Sequence, residues 1–146
     1  MNKKTILIIV DDDETIVTVF SECLELFDMN VVSVGYNGKE AVELYKKYRP
    51  DIIFLDLNMP QYDGIYALTE IQTFDSNAKI IIVTADLNSD MFEKLERLKP
   101  TEIFFKPFDM KKMKILLDRL TQTKDFSFVL DTEKKIARNL YNNQDT

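Results

Sequence analysis

The chain has no histidine, no tryptophan and a single cysteine, and none of its apolar runs approaches the length of a membrane span. Cys23 alone excludes an internal disulfide, and with no histidine to join it a zinc site is excluded as well. That cysteine usage points to a reducing, cytoplasmic compartment. The start, Met1-Asn2-Lys3-Lys4, leads into an apolar run closed by three aspartates, which fits neither a signal peptide nor a transmembrane segment. Positive charge is also short: 19 Lys and Arg stand against 25 Asp and Glu, a net charge of -6. Such a balance repels phosphate backbones and anionic lipid surfaces, so direct contact with nucleic acid or membrane is not expected. What remains is 146 residues, 45% hydrophobic and 30% charged. This composition is too apolar for a disordered chain and sufficient for one folded domain.

Apolar runs of strand length recur at Thr5–Val10, Asn30–Val34, Asp51–Leu55, Lys79–Val83 and Glu102–Phe105. Three of them are continuous rather than alternating, as expected of strands covered on both faces in a parallel sheet. Helical patterns lie between them. Glu14–Asp28 places Ile16, Val17, Val19, Phe20, Cys23, Leu24, Leu26 and Phe27 on a broad apolar arc, which predicts a wide buried face. Asn37-Gly38 opens a second helix, closed by Pro50. Further helices are expected over about Ile65–Phe74, Ser89–Lys99 and Asp109–Thr123. A strand–helix alternation repeated five times implies parallel pairing through right-handed crossovers. The expected fold is α/β: a three-layer doubly wound (βα)5 sandwich around a five-stranded parallel sheet, flavodoxin-like in topology. Residues 1–124 would form this domain. Residues 125–146 would be a C-terminal extension, either a short helix capped by Thr132 or a linker. Its large apolar groups, Phe126 to Tyr141, suit packing on the domain's own fifth-helix face or on a second copy in a homodimer.

In an open parallel sheet ligands sit outside the carboxyl ends of the strands. Those ends carry Asp11-Asp12-Asp13-Glu14, Asp56, Thr84-Ala85 and Lys106-Pro107. Carboxylates gathered at about 4 Å repel by roughly 4 kcal/mol per pair at an effective dielectric near 20, so the cluster calls for a cation or a changed protonation state. Mg²⁺ suits it, because that ion needs only one or two carboxylates and keeps waters that a phosphoryl oxygen can replace. Mn²⁺ or Ca²⁺ could substitute. Taken singly, the acidic run serves equally well as a cap for the first helix. Thr84 alone reads as a strand-end hydroxyl, and Lys106 alone as a solvated strand end. Asp56 is harder to explain as packing, since it closes the apolar run Ile52–Leu55 at the sheet's ligand-binding edge and unpaired buried charge is costly.

The stretches ILIIVDDDE, DIIFLDLNMPQYDG, KIIIVTA and FFKPF, spread over residues 5–124, resemble the receiver domain of two-component signalling, as in the single-domain chemotaxis response regulator. The resemblance implies that Asp56 is the phosphoacceptor. Asp12 would bind Mg²⁺ directly, Asp11 through water, and Asn58 through its backbone carbonyl. Thr84 would hydrogen-bond the phosphoryl group, Lys106 would pair with it, and Ala85 and Pro107 would support them, Pro107 after a cis peptide. The donor would be a phosphohistidine on a sensor histidine kinase or phosphotransfer protein, since this chain has no histidine, and the readout a downstream protein target. Two departures bear on the output face: Ile103 stands three residues before Lys106, where the family often has an aromatic switch residue, and Leu98-Lys99-Pro100-Thr101 lacks the usual Gly-Ala.

A dehalogenase-type phosphatase also uses a strand-end Asp, but needs a second Asp two residues on, where this chain has Asn58. A flavodoxin would cradle phosphate in a first loop that Asp11–Asp13 here make repulsive. The remaining alternative is a receiver-fold interaction module that works without phosphorylation. On the first reading the protein is a switch that promotes its own phosphorylation and dephosphorylation, and not a conventional enzyme.

Overall fold

The computed structural model describes residues 4–107 and 109–121; the extension expected at 125–146 and the domain boundary expected after 124 lie outside the described residues. The element order is β1 (Ile6–Val10), α1 (Glu14–Leu26), β2 (Asn30–Gly35), α2 (Gly38–Tyr48), β3 (Ile52–Leu55), α3 (Gly64–Phe74), β4 (Ile80–Thr84), α4 (Ser89–Leu98), β5 (Glu102–Phe105) and α5 (Met110–Thr121). All neighbouring strands are parallel, in the order β2-β1-β3-β4-β5. This is the expected five-stranded parallel sheet of flavodoxin-like topology.

The chain divides into two compact units after Pro107. In the first, the period of two along each strand sorts the core. Ile8, Val10, Ile53, Leu55, Ile80 and Ile82 join Ala41, Val42 and Tyr45 of α2, Ala67, Leu68 and Ile71 of α3, and Leu95 of α4 in one cluster. The alternate residues Leu7, Ile9, Ile52, Phe54, Ile81 and Val83 are equally buried. On their side Phe20 of α1 meets Phe54 edge to face, with ring centroids 4.8 Å apart. Helices therefore cover both faces of the sheet, which is why its inner strands β1, β3 and β4 read as unbroken apolar runs. In the second unit α5 buries Met113, Leu116 and Leu117, the i, i+3, i+4 stripe of an amphipathic helix.

The caps explain where the elements begin and end. Asp13, Asn37, Asp63 and Asn88 cap α1 to α4 through side-chain oxygens that accept backbone N–H groups of the first turn. Helices α2 and α4 stop at Arg49 and Lys99, both left-handed, and Pro50 and Pro100 follow, so neither helix can continue. The fourth helix keeps ten residues despite the missing Gly-Ala. Tyr45 of α2, whose hydroxyl donates to Asp75 at 2.8 Å, ties that helix to the end of α3.

One expectation is corrected. The buried stripe of α1 is only Val17, Phe20 and Leu24, while Val19 and Leu26 are 55% and 84% exposed. At about 100° per residue these two lie roughly half a turn from the stripe, beyond the reach of the sheet. No helix among the described residues is long and apolar enough to cross a membrane.

Candidate functional site

The ladder hydrogen bonds continue one residue past the strands. Asp11 N–H donates to the Gly35 carbonyl at 3.1 Å, Asp56 N–H to Val10 at 2.9 Å, and Lys106 N–H to Thr84 at 2.8 Å. This continuation fixes three charged residues side by side at the carboxyl edge of the sheet, with Thr84, the last residue of β4, between Asp56 and Lys106. Asp11, Asp56 and Thr84 are 4%, 6% and 0% exposed, which for two carboxylates demands compensation.

Part of that compensation is Lys106. Its Nζ donates to Asp11 Oδ2 at 2.6 Å and lies 3.7 Å from Asp56 Oδ1. The other Asp11 oxygen accepts the Asp13 N–H at 2.9 Å. One ammonium does not balance three carboxylates: oxygens of Asp11, Asp12 and Asp56 all lie within 4.8 Å of one another. The result is visible on Asp56, whose pKa is pushed up to about 6 by burial first and by Asp11 next, with Asp12 adding less; Lys106 and the backbone N–H of Asn58 pull the other way.

The donor set fits a hard divalent cation. Two ligands about 2.1 Å from one Mg²⁺ can be at most about 4.2 Å apart, close to the spacing of the Asp12 and Asp56 oxygens, which lie within 4.8 Å of each other, and exposed Asp12 leaves one side open to water. The acidic run at 11–14 divides its labour: Asp11 and Asp12 face Asp56, whereas Asp13 accepts from Thr15 and Ile16 N–H as the cap of α1. The cap reading of that run holds for Asp13, while Asp11 and Asp12 join Asp56 in the acidic cluster.

The remaining expected residues are also placed. Thr84 Oγ1 donates to the Asp86 carbonyl at 2.8 Å, so its proton is committed to the loop after β4. Ala85 is exposed beside it, and the Lys106–Pro107 peptide is cis. Asn58 is exposed between buried Leu57 and Met59, which anchor its loop. Ile103 packs against the α2–α4 core and lines a cleft of about 300 Å³ with Phe92 and Leu95 of α4, while Phe105, one pleat nearer the site, is 54% exposed.

Two glycines at the site's margin have a role that sequence reasoning missed. Gly64 N–H donates to the Leu57 carbonyl at 3.0 Å, and a Cβ on Gly64 would stand 2.4 Å from the Asp56 carbonyl oxygen and 2.8 Å from Leu57 Cα. Gly38 meets the same loop from α2, with a Cβ position 2.4 Å from the Asp63 carbonyl oxygen. The available signal was a glycine in the first turn of each helix, where Ser, Asp or Glu would have done as well for the helix alone.

Residues 7–118 match the family described as response regulator receiver domain. The chain is 36% identical over 102 residues to the chemotaxis protein CheY of Halobacterium salinarum, covering 70% of this chain and 84% of that one. It is 34% identical over 110 residues to the sporulation initiation phosphotransferase F of Bacillus subtilis, covering 75% and 86%. Among solved structures, the CheX-CheY-BeF3-Mg²⁺ complex from Borrelia burgdorferi superposes with a TM-score of 0.74 at 27% identity, over 82% of this chain and 90% of that one.

Proposed function

The chain belongs to the response regulator receiver domain family of two-component signalling, and from that premise we propose that it is a switch operated by phosphorylation of Asp56. The observation that carries this reading is the convergence of the Asp11, Asp12 and Asp56 oxygens within 4.8 Å, beside an ammonium 2.6 Å from Asp11 and 3.7 Å from Asp56. Asp12 and Asp56 would hold Mg²⁺ directly, with the Asn58 carbonyl, and Asp11 through water. Bound there, the ion supplies positive charge against the equatorial oxygens of the transferring group.

In the transfer, the bond from phosphorus to the donor's imidazole nitrogen breaks as one forms to an Asp56 carboxylate oxygen, and the imidazole keeps the electron pair. Asp56 must be ionised to attack, which its pKa near 6 allows at neutral pH. No acid or base is needed; position and charge neutralisation carry the step. Lys106, shared between Asp11 and Asp56, is placed to follow the new charge. Thr84 can donate to a phosphoryl oxygen only by giving up the Asp86 carbonyl. That exchange would release the loop leading into α4 and change the surface offered to a partner. The phosphoryl donor would be a histidine kinase or phosphotransfer protein, the receiver of the signal another protein, and the setting cytoplasmic. Ile103 has no ring to swing inward, so the signal would leave through the loop.

The test is incubation with acetyl phosphate. The native chain should gain the mass of one phosphoryl group on Asp56 with Mg²⁺ and none with a chelator; labelling that ignores Mg²⁺, or falls elsewhere, overturns the reading. Lys106→Ala should still unfold cooperatively. It should be less stable without metal, because Asp11 loses its partner at 2.6 Å, a loss on the order of 1–3 kcal/mol for a charge left at the wet edge of a sheet. Phosphorylated and unphosphorylated Lys106→Ala should differ in amide exchange much less than the two native forms do. An equal difference would remove Lys106 from the switch.

A further inference from the structure

We propose, resting on the phosphoacceptor reading of Asp56, that Gly38 at the start of α2 is a positioning residue for the loop that carries Asn58. The two are far apart in sequence and act on one another through backbone. Gly38 N–H donates to the Tyr62 carbonyl at 2.6 Å. A Cβ on Gly38 would lie 2.4 Å from the Asp63 carbonyl oxygen and 2.7 Å from that of Tyr62. Neither neighbour is a flexible side-chain end that could give way. Gly38 has negative φ, so the helix itself does not require glycine there; the space does. Alanine would even be the better helix former.

Residues 57–63 form one short span between Asp56 and α3. Its start is held by Asp56, by the buried Leu57 and Met59, and by Gly64 N–H on the Leu57 carbonyl. Its end is held by Gly38, and the Lys39 ammonium sits 6.0 Å above the Tyr62 ring beside it. A side chain at 38 must therefore push either the first turn of α2 or the span itself. Moving the span moves Asn58, whose N–H bonds the Asp56 carboxylate and whose carbonyl would ligate the metal on the functional reading above. The first turn of α2 thus sets the distance between the acceptor loop and Asp12, and through it the affinity for the cation.

The experiment compares the native chain, Gly38→Ala, and Glu43→Gly, an exposed mid-helix change that weakens α2 without approaching the loop. Mg²⁺ affinity is read by calorimetry, and acetyl phosphate labelling is followed against Mg²⁺ concentration. Gly38→Ala should raise the dissociation constant and the half-saturating Mg²⁺ by roughly tenfold or more, as changes to residues supporting a metal ligand do. Its labelling at saturating Mg²⁺ should return close to native. Glu43→Gly should lower the melting temperature and leave half-saturation unchanged, because loss of folded protein reduces amplitude rather than affinity. A folded Gly38→Ala with native Mg²⁺ affinity sinks this inference alone, whereas a native chain that binds no Mg²⁺ sinks the functional reading together with it. Should Gly38→Ala fail to fold, amide exchange in the native chain decides: the Gly38 N–H should exchange more slowly once Mg²⁺ saturates the site, and an unchanged rate overturns the proposal.

Discussion

Asp56→Asn will take up no phosphoryl group under conditions that label the native chain, and without divalent cations it will be the more stable protein above about pH 6. Both outcomes come from one carboxylate. The amide has nearly the same shape but no charge with which to attack phosphorus, so labelling should vanish rather than slow. Stability follows from the pKa, which moves from 3.8 in an unstructured chain to about 6 in the folded one. The folded state thus holds this proton more tightly than the unfolded state. Its advantage is complete below about pH 4 and is lost as pH rises through 6. Each pKa unit is worth about 1.36 kcal/mol, so the loss is about 3 kcal/mol at most, and on the order of 2 kcal/mol once solvent at the sheet edge is allowed for. The asparagine variant suffers no such loss. Urea unfolding of both proteins in chelator should show their stability difference growing by about 2 kcal/mol between pH 4 and pH 7. A difference that stays flat across that range would mean the buried carboxylates are compensated in another way.

The sheet was legible because its inner strands β1, β3 and β4 are covered on both faces and so read as unbroken apolar runs, and because the helix caps are local. Strand positions came within a residue or so of the observed ones, and Asp11, Asp12, Asp56, Thr84 and Lys106 all stand out as polar residues at the carboxyl ends of those runs. Periodicity within a helix says less about width of contact. The apolar arc of α1 included Val19 and Leu26, yet a helix lying on a sheet touches it only along Val17, Phe20 and Leu24. Pairings at the site were also hidden. Lys106 rests closer to Asp11 than to Asp56, and the Thr84 hydroxyl has a backbone acceptor at Asp86. These choices depend on angstrom differences between strand ends, which no spacing encodes. The glycines are a third kind of silence. Gly38 and Gly64 are required by carbonyl oxygens from another part of the chain, so a glycine there looks like an ordinary helix start until the two backbones are brought together.

Asp12→Ala will abolish Mg²⁺ binding and phosphorylation and leave the fold intact. Asp12 is exposed, so its loss opens no cavity, and removing it relieves a small part of the repulsion that raises the Asp56 pKa. Without metal the variant should therefore melt at or slightly above the native temperature. With metal the order reverses. A cation at a hundred times its dissociation constant stabilises the folded state by about 2.7 kcal/mol, which for a domain of this size is roughly 8 °C in melting temperature. The native chain should show that rise on adding Mg²⁺ and Asp12→Ala should not. The next residue supplies the contrast. Asp13 caps α1 through bonds to Thr15 and Ile16, so Asp13→Ala should cost about 1 kcal/mol with or without Mg²⁺ and keep the full metal-dependent rise. Two adjacent aspartates of like charge then separate cleanly, one by its response to metal and the other by stability alone. If instead Asp13→Ala abolishes the Mg²⁺ response while Asp12→Ala retains it, the cation sits elsewhere than among Asp11, Asp12 and Asp56.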